Sequence, residues 1–166
     1  MHSMPSPLTD ILKRNNIATE FVAYVEKWVG TPYTWAGDDF SSLDCSGLMM
    51  EGFKGIGEFD DAEDYSANGL YRIFKTRKCV EPEKPYKGCL VFWFNKKGKA
   101  VHVAVMKDNH LLIHAAGGGQ LTETIKDASR DNAYVKQRSL EKVGTCRKRK
   151  YHQIYKIVDP FLIKKK

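Results

Sequence analysis

A change of hydrophobic period near Cys79 constrains this chain more than any other feature. Before it, apolar residues recur three and four apart; after it, they alternate or run together. Three-and-four spacing lines one face of a helix, and alternation lines one face of a strand. Helices first and strands afterwards predict an α+β fold, with N-terminal helices packed on an antiparallel sheet.

The helical part reads as follows. Residues 1–7 form a flexible lead, and Ser6-Pro7 is a helix start with proline at the first helical position. A short helix is expected from there to about residue 15, then a second carrying Ile17, Phe21, Val22, Val25, Trp28 and Val29. Gly30 and Pro32 stop it, and residues 31–43 form a loop rich in turn formers. A third helix is expected from Asp44–Cys45 through Leu48, Met49 and Phe53 to Gly55–Gly57. An acidic patch follows (Glu58, Asp60, Asp61, Glu63, Asp64), then a helix over 64–75 that contains the weak helix former Gly69.

The strand part begins after Pro82 and Pro85. Leu90–Phe94 reads as a buried strand ended by Asn95–Gly98. Val101, Val103 and Val105 alternate with His102, Ala104 and Met106, and a turn at 107–109 leads into a strand over 111–115. Residues 133–140 and 151–158 supply further strands. The 166 residues are enough to bury a core as a single domain, and no apolar run approaches the ~18 residues of a membrane span.

Charge separates the body from the tail. The net charge of +7 suggests a polyanion binder. Residues 131–166 hold eleven Lys/Arg against three Asp/Glu, so the other 130 residues carry a net −1. The basic character therefore belongs to the C-terminal segment, densest over 141–166. Tyr151 and Tyr155 interleave there with Arg147, Lys148, Arg149 and Lys150, a pattern that suits nucleic-acid stacking and phosphate contact as well as a solvated basic face. The N-terminus has neither the basic nor the apolar region of a signal peptide.

Cys45, Cys79, Cys89 and Cys146 are separated by 34, 10 and 57 residues, without a C-x-x-C pair, so free thiols are expected. Cys45 stands at a helix start, where unpaired N–H groups favour a thiolate, and Asp44 is placed to cap that helix. On position alone a buried structural cysteine is an equal alternative. His102 and His114 flank the turn near 108. If paired residue numbers sum to 216, the two stand directly opposite each other on one sheet face, with Val103, Val105, Leu111 and Ile113 on the other; a shift by one would separate them. A thiol nucleophile needs an imidazole base, and that base needs an orienting partner. Packed strand histidines are one alternative. Three zinc ligands are another, although their spacing matches no common zinc motif. His110 and His152 read as solvated, and Cys79, Cys89 and Cys146 as structural.

These residues resemble a known family. The stretch WVGTPYTWAGDDFSSLDCSGLMMEGFKGIG is similar to the nucleophile region of the NlpC-type cell-wall cysteine peptidases, which read GxPYxWGG, a short loop, then DCSGL. GCLVFWFNKKGKAVHVAVMKDNHLLIHAAGGG resembles their GDLVFF, HVGIY and IHA strands. Ala36 replaces the first glycine of the usual pair, and Cys89 replaces the aspartate of GDLV. The likeness spans about residues 17–118. It implies a papain-like core with circularly permuted strand order, forming a single catalytic domain over 1–166. It implies Cys45 as nucleophile, His102 as base, His114 as orienting residue and Tyr33 beside the oxyanion, with Asp44, Ser46 and Trp35 on the substrate side. The implied reaction is hydrolysis of peptidoglycan stem peptides at the γ-D-glutamyl–diamino acid bond. Acyl transfer or deamidation on the same fold is the alternative, as is nucleic-acid binding through the basic segment. No cofactor or metal is expected. The chain is expected to act as a monomer on peptidoglycan or muropeptides, reaching the wall by a phage- or injection-type route, with the basic segment on anionic polymer.

Overall fold

The computed structural model describes residues 7–34, 38–39, 42–118, 121–143 and 154–165. Helix α1 (Pro7–Glu26) buries Arg14, Ala18, Phe21, Val22 and Val25, a stripe repeating every three or four residues. The sequence predicts two helices here, and the structure has one. Asn15 and Asn16 are weak helix formers, but neither removes an N–H or clashes as proline would, so packing carries the helix through them. Ile17 lies at the edge of the stripe and is exposed.

Helix α2 (Cys45–Gly55) is capped by Asp44, whose Oδ1 accepts from the Gly47 N–H at 2.7 Å. It buries Leu48, Met49, Met50 and Phe53. Gly52 allows α1 to approach, since a Cβ there would stand 2.6 Å from the Phe21 and Val25 side chains. Helix α3 (Ala67–Thr76) begins at its Ser66 cap and buries Ala67, Leu70 and Phe74; Gly69 does not break it. The acidic patch between α2 and α3 is partly spent on local structure. Glu58 pairs with Arg77, and Glu63 accepts from the Asp60 N–H and the Tyr65 hydroxyl.

The loop before α2 contains two short strands, β1 (Asp38–Asp39) and β2 (Ser42–Leu43), paired antiparallel. The main sheet comprises β3 (Cys79–Val80), β4 (Leu90–Phe94), β5 (Ala100–Met106), β6 (Leu111–Ala116), β7 (Tyr134–Ser139) and β8 (Tyr155–Ile163). Their order is β3-β8-β4-β5-β6-β7, and every pairing is antiparallel. The strand expected over 151–158 starts at Tyr155 and continues to Ile163; residues 151–153 lie outside the described residues. Helix α4 (Ile125–Asp131), closed by a Thr124–Asp127 capping box, was not expected from apolar period.

Alternation gives the sheet two apolar faces. Leu90, Phe92, Val103, Val105, Ile113 and Val158 join the cluster built by α1, α2 and α3. Val91, Trp93, Ala104, Met106 and Leu112 form a second cluster on the other face. The β5–β6 register differs from expectation: Val105 pairs with Ile113 and Met106 with Leu112, so paired numbers sum to 218, not 216. His102 is therefore not directly opposite His114. A slip of two preserves the face of every side chain, so the histidines still share one. No helix among the described residues is long and apolar enough to cross a membrane.

Candidate active site

Cys45 is the first residue of α2, and α2 packs against β5. Its sulfur lies in hydrogen-bonding reach of the Val103 N–H, one residue after His102. The N–H groups of Ser46 and of Cys45 itself also face it, as expected at a helix start. Its acidity nonetheless moves the other way from the expectation. Burial, and then the Asp44 carboxylate, push the thiol up to about 12, outweighing those N–H groups. Low dielectric around the sulfur penalises its charge more than three dipoles compensate.

His102 and His114 form a pair. His102 Nε2 and His114 Nδ1 are 2.9 Å apart, and the ring centroids are 5.1 Å apart at 69°. His114 is buried, and its Nε2 has no hydrogen-bond partner among the described residues. Burial holds His102 down at about 4. Burial, then the charges of His102, Arg138 and Lys136, holds His114 at about 2. At neutral pH the resting site is a thiol beside two neutral imidazoles. The described residues contain no hydrogen bond from the Cys45 sulfur to His102; the two are neighbours through the β5 backbone at Val103.

Those low values link acid to unfolding. Between the ordinary 6.5 and the folded value, the unfolded chain binds a proton that the folded chain does not. The stability is complete above 6.5 and falls as pH drops toward 4 for His102 and toward 2 for His114. Replacing His114 with glutamine is expected to remove about 2 kcal/mol of the stability lost between pH 6.5 and 5. Urea unfolding at both pH values checks this, and an unchanged pH dependence overturns it.

Tyr33 is buried, and its hydroxyl is held above the usual tyrosine range by burial and by the Cys45 and Asp44 charges. The structure therefore brings Tyr33, Asp44 and Cys45 together. The segment around Tyr33 is strapped to the start of β7 by an isolated bridge between Pro32 and Tyr134: the Tyr33 N–H donates to the Ala133 carbonyl, and the Val135 N–H donates to the Thr31 carbonyl. Gly118 backs the phenol, and a Cβ there would stand 2.2 Å from Tyr33 Cδ1. Sequence reasoning missed this support; the glycine run at 117–119 was the available signal. Ser46 donates its hydroxyl to Asp44 Oδ1 at 3.0 Å. Asp44 is raised, first by burial and lastly by Asp64, against the pull of Gly47 and Ser46. Asp64 thus extends the acidic patch to the edge of this site.

The remaining expected residues divide. Trp35 and the cluster Arg147–Lys150 with Tyr151, His152 and Cys146 lie outside the described residues. Cys79 and Cys89 are buried free thiols. At the Cys89 turn, Gly88 has φ +86°, and the Met106 N–H donates to the Cys89 carbonyl at 2.8 Å. Among the described residues, no group of three or more His, Cys, Asp or Glu is placed to hold a metal ion.

Comparison with known proteins follows the same residues. A model of the NlpC/P60 family matches residues 30–143. Protein P54 of Enterococcus faecium is 32% identical over 105 residues, 60% of this chain and 18% of that protein. A protein of Bacillus subtilis (strain 168) named "Probable peptidoglycan endopeptidase LytE" is 27% identical over 122 residues, 74% of this chain and 33% of that one. The chain thus spans a third or less of the length of those two relatives. The P60 domain of antigen MAP1204 from M. avium subspecies paratuberculosis superposes with TM-score 0.60 at 18% identity, covering 88% of this chain and 96% of that domain.

Proposed function

The chain belongs to the NlpC/P60 family, and from that premise we propose that it is a cysteine peptidase of peptidoglycan stem peptides. The observation that carries the reading is one juxtaposition. A half-buried thiol at a helix start meets β5 beside a histidine whose far nitrogen is held by a second histidine.

In the proposed mechanism, His102 Nε2–H donates to His114 Nδ1, which leaves Nδ1 of His102 free to take a proton. The Cys45 thiol gives up its proton to that nitrogen as sulfur attacks the amide carbonyl. Burial keeps both groups neutral at rest, and the thiolate and imidazolium form side by side, each offsetting the cost of the other. The Cys45 N–H and the Tyr33 hydroxyl receive the developing oxyanion. Collapse breaks the C–N bond, and His102 returns its proton to the leaving amine. Water then attacks the thioester with His102 as base, and Cys45 leaves as the thiol.

Asp44, half-buried and without a cationic partner among the described residues, is suited to receive an ammonium group of the substrate, with Ser46 holding its carboxylate in place. Trp35 is assigned to the same side by the family motif. The reading treats the chain as a single catalytic domain, with segment 141–166 contacting anionic wall polymer. The relative named as a peptidoglycan endopeptidase supports the substrate class.

Mass spectrometry of muropeptides after digestion tests the reading. The expected products arise by cleavage between γ-D-glutamate and the diamino acid. Cleavage at another amide overturns that bond. Transfer of the acyl group to an added amine, or conversion of a side-chain amide to the acid without cleavage, overturns the peptidase assignment.

A further inference from the structure

Behind His102 stands a side chain that the proposed chemistry does not use, a tryptophan at the last position of the GDLVFF-like strand. Trp93 is the cross-strand partner of His102 in the β4–β5 ladder. It is 1% exposed, and its ring lies 5.2 Å from the imidazole at 46°. Its other side meets Tyr155, the paired residue on β8, at 6.2 Å and 50°. The rings of Tyr155, Trp93, His102 and His114 therefore follow one another across four adjacent strands, β8, β4, β5 and β6.

The ladder changes at this point. Trp93 pairs with His102, but Phe94 pairs with Ala100, which leaves Val101 as an extra residue. A bulge of this kind bends the strand and re-aims the neighbouring side chain. Trp93 is therefore the last partner in the regular β4–β5 ladder before the bulge, and it pairs with His102. The hydrogen bond to His114 fixes one atom of the ring. One fixed atom leaves the ring free to tilt about it, and a flat wall at van der Waals range removes that freedom.

We propose that Trp93 is a positioning residue: its indole forms the wall that holds the His102 imidazole in one orientation and keeps water from its face. The inference rests on the reading of His102 as the base. It concerns how that base is held. His102 is also faced by His114 from β6, and through His114 by Lys136 and Arg138 of β7, while Cys45 of α2 reaches the backbone N–H of the next residue, Val103. Those groups are left intact by changes at Trp93.

Two variants test it, Trp93→Leu and Trp93→Phe. The first readout is the titration of the His102 ring by NMR, recorded in a Cys45→Ala background and assigned by loss of the signal in His102→Gln. Trp93→Leu is expected to move that titration upward, toward the ordinary 6.5, as water reaches the ring. Trp93→Phe, which keeps a flat wall, is expected to leave it low. The second readout is muropeptide hydrolysis with Cys45 present. Trp93→Leu is expected to lower kcat roughly 10- to 100-fold with KM changed by less than about threefold, the signature of a displaced base and not of lost binding. Trp93→Phe is expected to recover most of that loss. A folded Trp93→Leu protein with unchanged titration and kcat overturns the proposal. So does a Trp93→Phe protein as impaired as Trp93→Leu, which would mark Trp93 as plain core packing. The NMR arm requires no turnover, so failure of the peptidase reading shows in hydrolysis by the parent protein and is separate from failure of this inference.

Discussion

Cys45→Ala is expected to lower stem-peptide hydrolysis by at least about 10⁴-fold while leaving the thermal midpoint almost unchanged. Removing sulfur deletes the only atom assigned to form the acyl bond. Structurally little is disturbed. Alanine is a better helix former than cysteine at the first turn. The Val103 N–H loses a weak acceptor, which costs on the order of 1 kcal/mol or less. Cys45→Ser sharpens the test. A hydroxyl restores an acceptor for Val103, yet its proton is held far more tightly than that of a thiol already pushed up to about 12. The serine protein is expected to be as stable as the parent and as inactive as the alanine protein. Activity within a hundredfold of the parent in either variant overturns the assignment of Cys45. Loss of activity with loss of fold in both would show that the thiol holds the α2–β5 contact, which overturns the expectation that its role is chemical.

The histidine pair shows why some of this site was legible in the sequence. A period of two survives a register error of two, so His102 and His114 were placed on one face although the pairing slipped from 216 to 218. Cys45 was legible because Asp44, a capping residue, precedes the apolar stripe of Leu48, Met49 and Phe53. The unexpected parts come from contacts between distant residues. Gly118 supports Tyr33 from 85 positions away. The acidity of Cys45 depends on how deeply β5 buries the helix start, and a helix tip considered alone gives the opposite sign. In α1 the predicted break at Asn15 and Asn16 gave way to burial of Ala18, Phe21 and Val22. Helix α4 buries only Ala128 among its residues, so it offers no apolar period to read; its Thr124–Asp127 box was the available signal.

A second large effect lies far along the sequence from the thiol, in the contact that joins the first helix to the last strand. Arg14 on α1 donates Nε–H to Asp159 of β8 at 2.8 Å, with the two side chains 7% and 0% exposed. The pair is fully partnered. Asp159 also accepts from the Tyr86 hydroxyl at 2.8 Å and from the Phe161 N–H at 3.0 Å. Arg14 donates to the Lys87 carbonyl at 2.7 Å, and its guanidinium lies 4.6 Å above the Tyr86 ring. The Coulombic gain of such a pair is largely cancelled by desolvation, so the intact pair contributes little net stability. Breaking it is different, because one charge is then left buried without its partner. Asp159→Ala is expected to cost about 3–5 kcal/mol, a large share of the whole stability of a domain this size. That corresponds to a drop of roughly 6–20 °C in thermal midpoint. The double variant Arg14→Met with Asp159→Leu removes both charges and is expected to recover most of the loss. Urea unfolding of the three proteins checks both halves. A cost below about 1 kcal/mol for Asp159→Ala would mean that water already reaches Arg14. A double variant as unstable as the single would mean that the hydrogen bonds to Tyr86, Phe161 and Lys87 hold this corner together, and not the charge pair. The consequence extends to the site through β8, which carries β4, and with it Trp93, into register against His102. Loosening β8 in Asp159→Ala is therefore expected to reduce hydrolysis along with stability, and the double variant is expected to restore the two together.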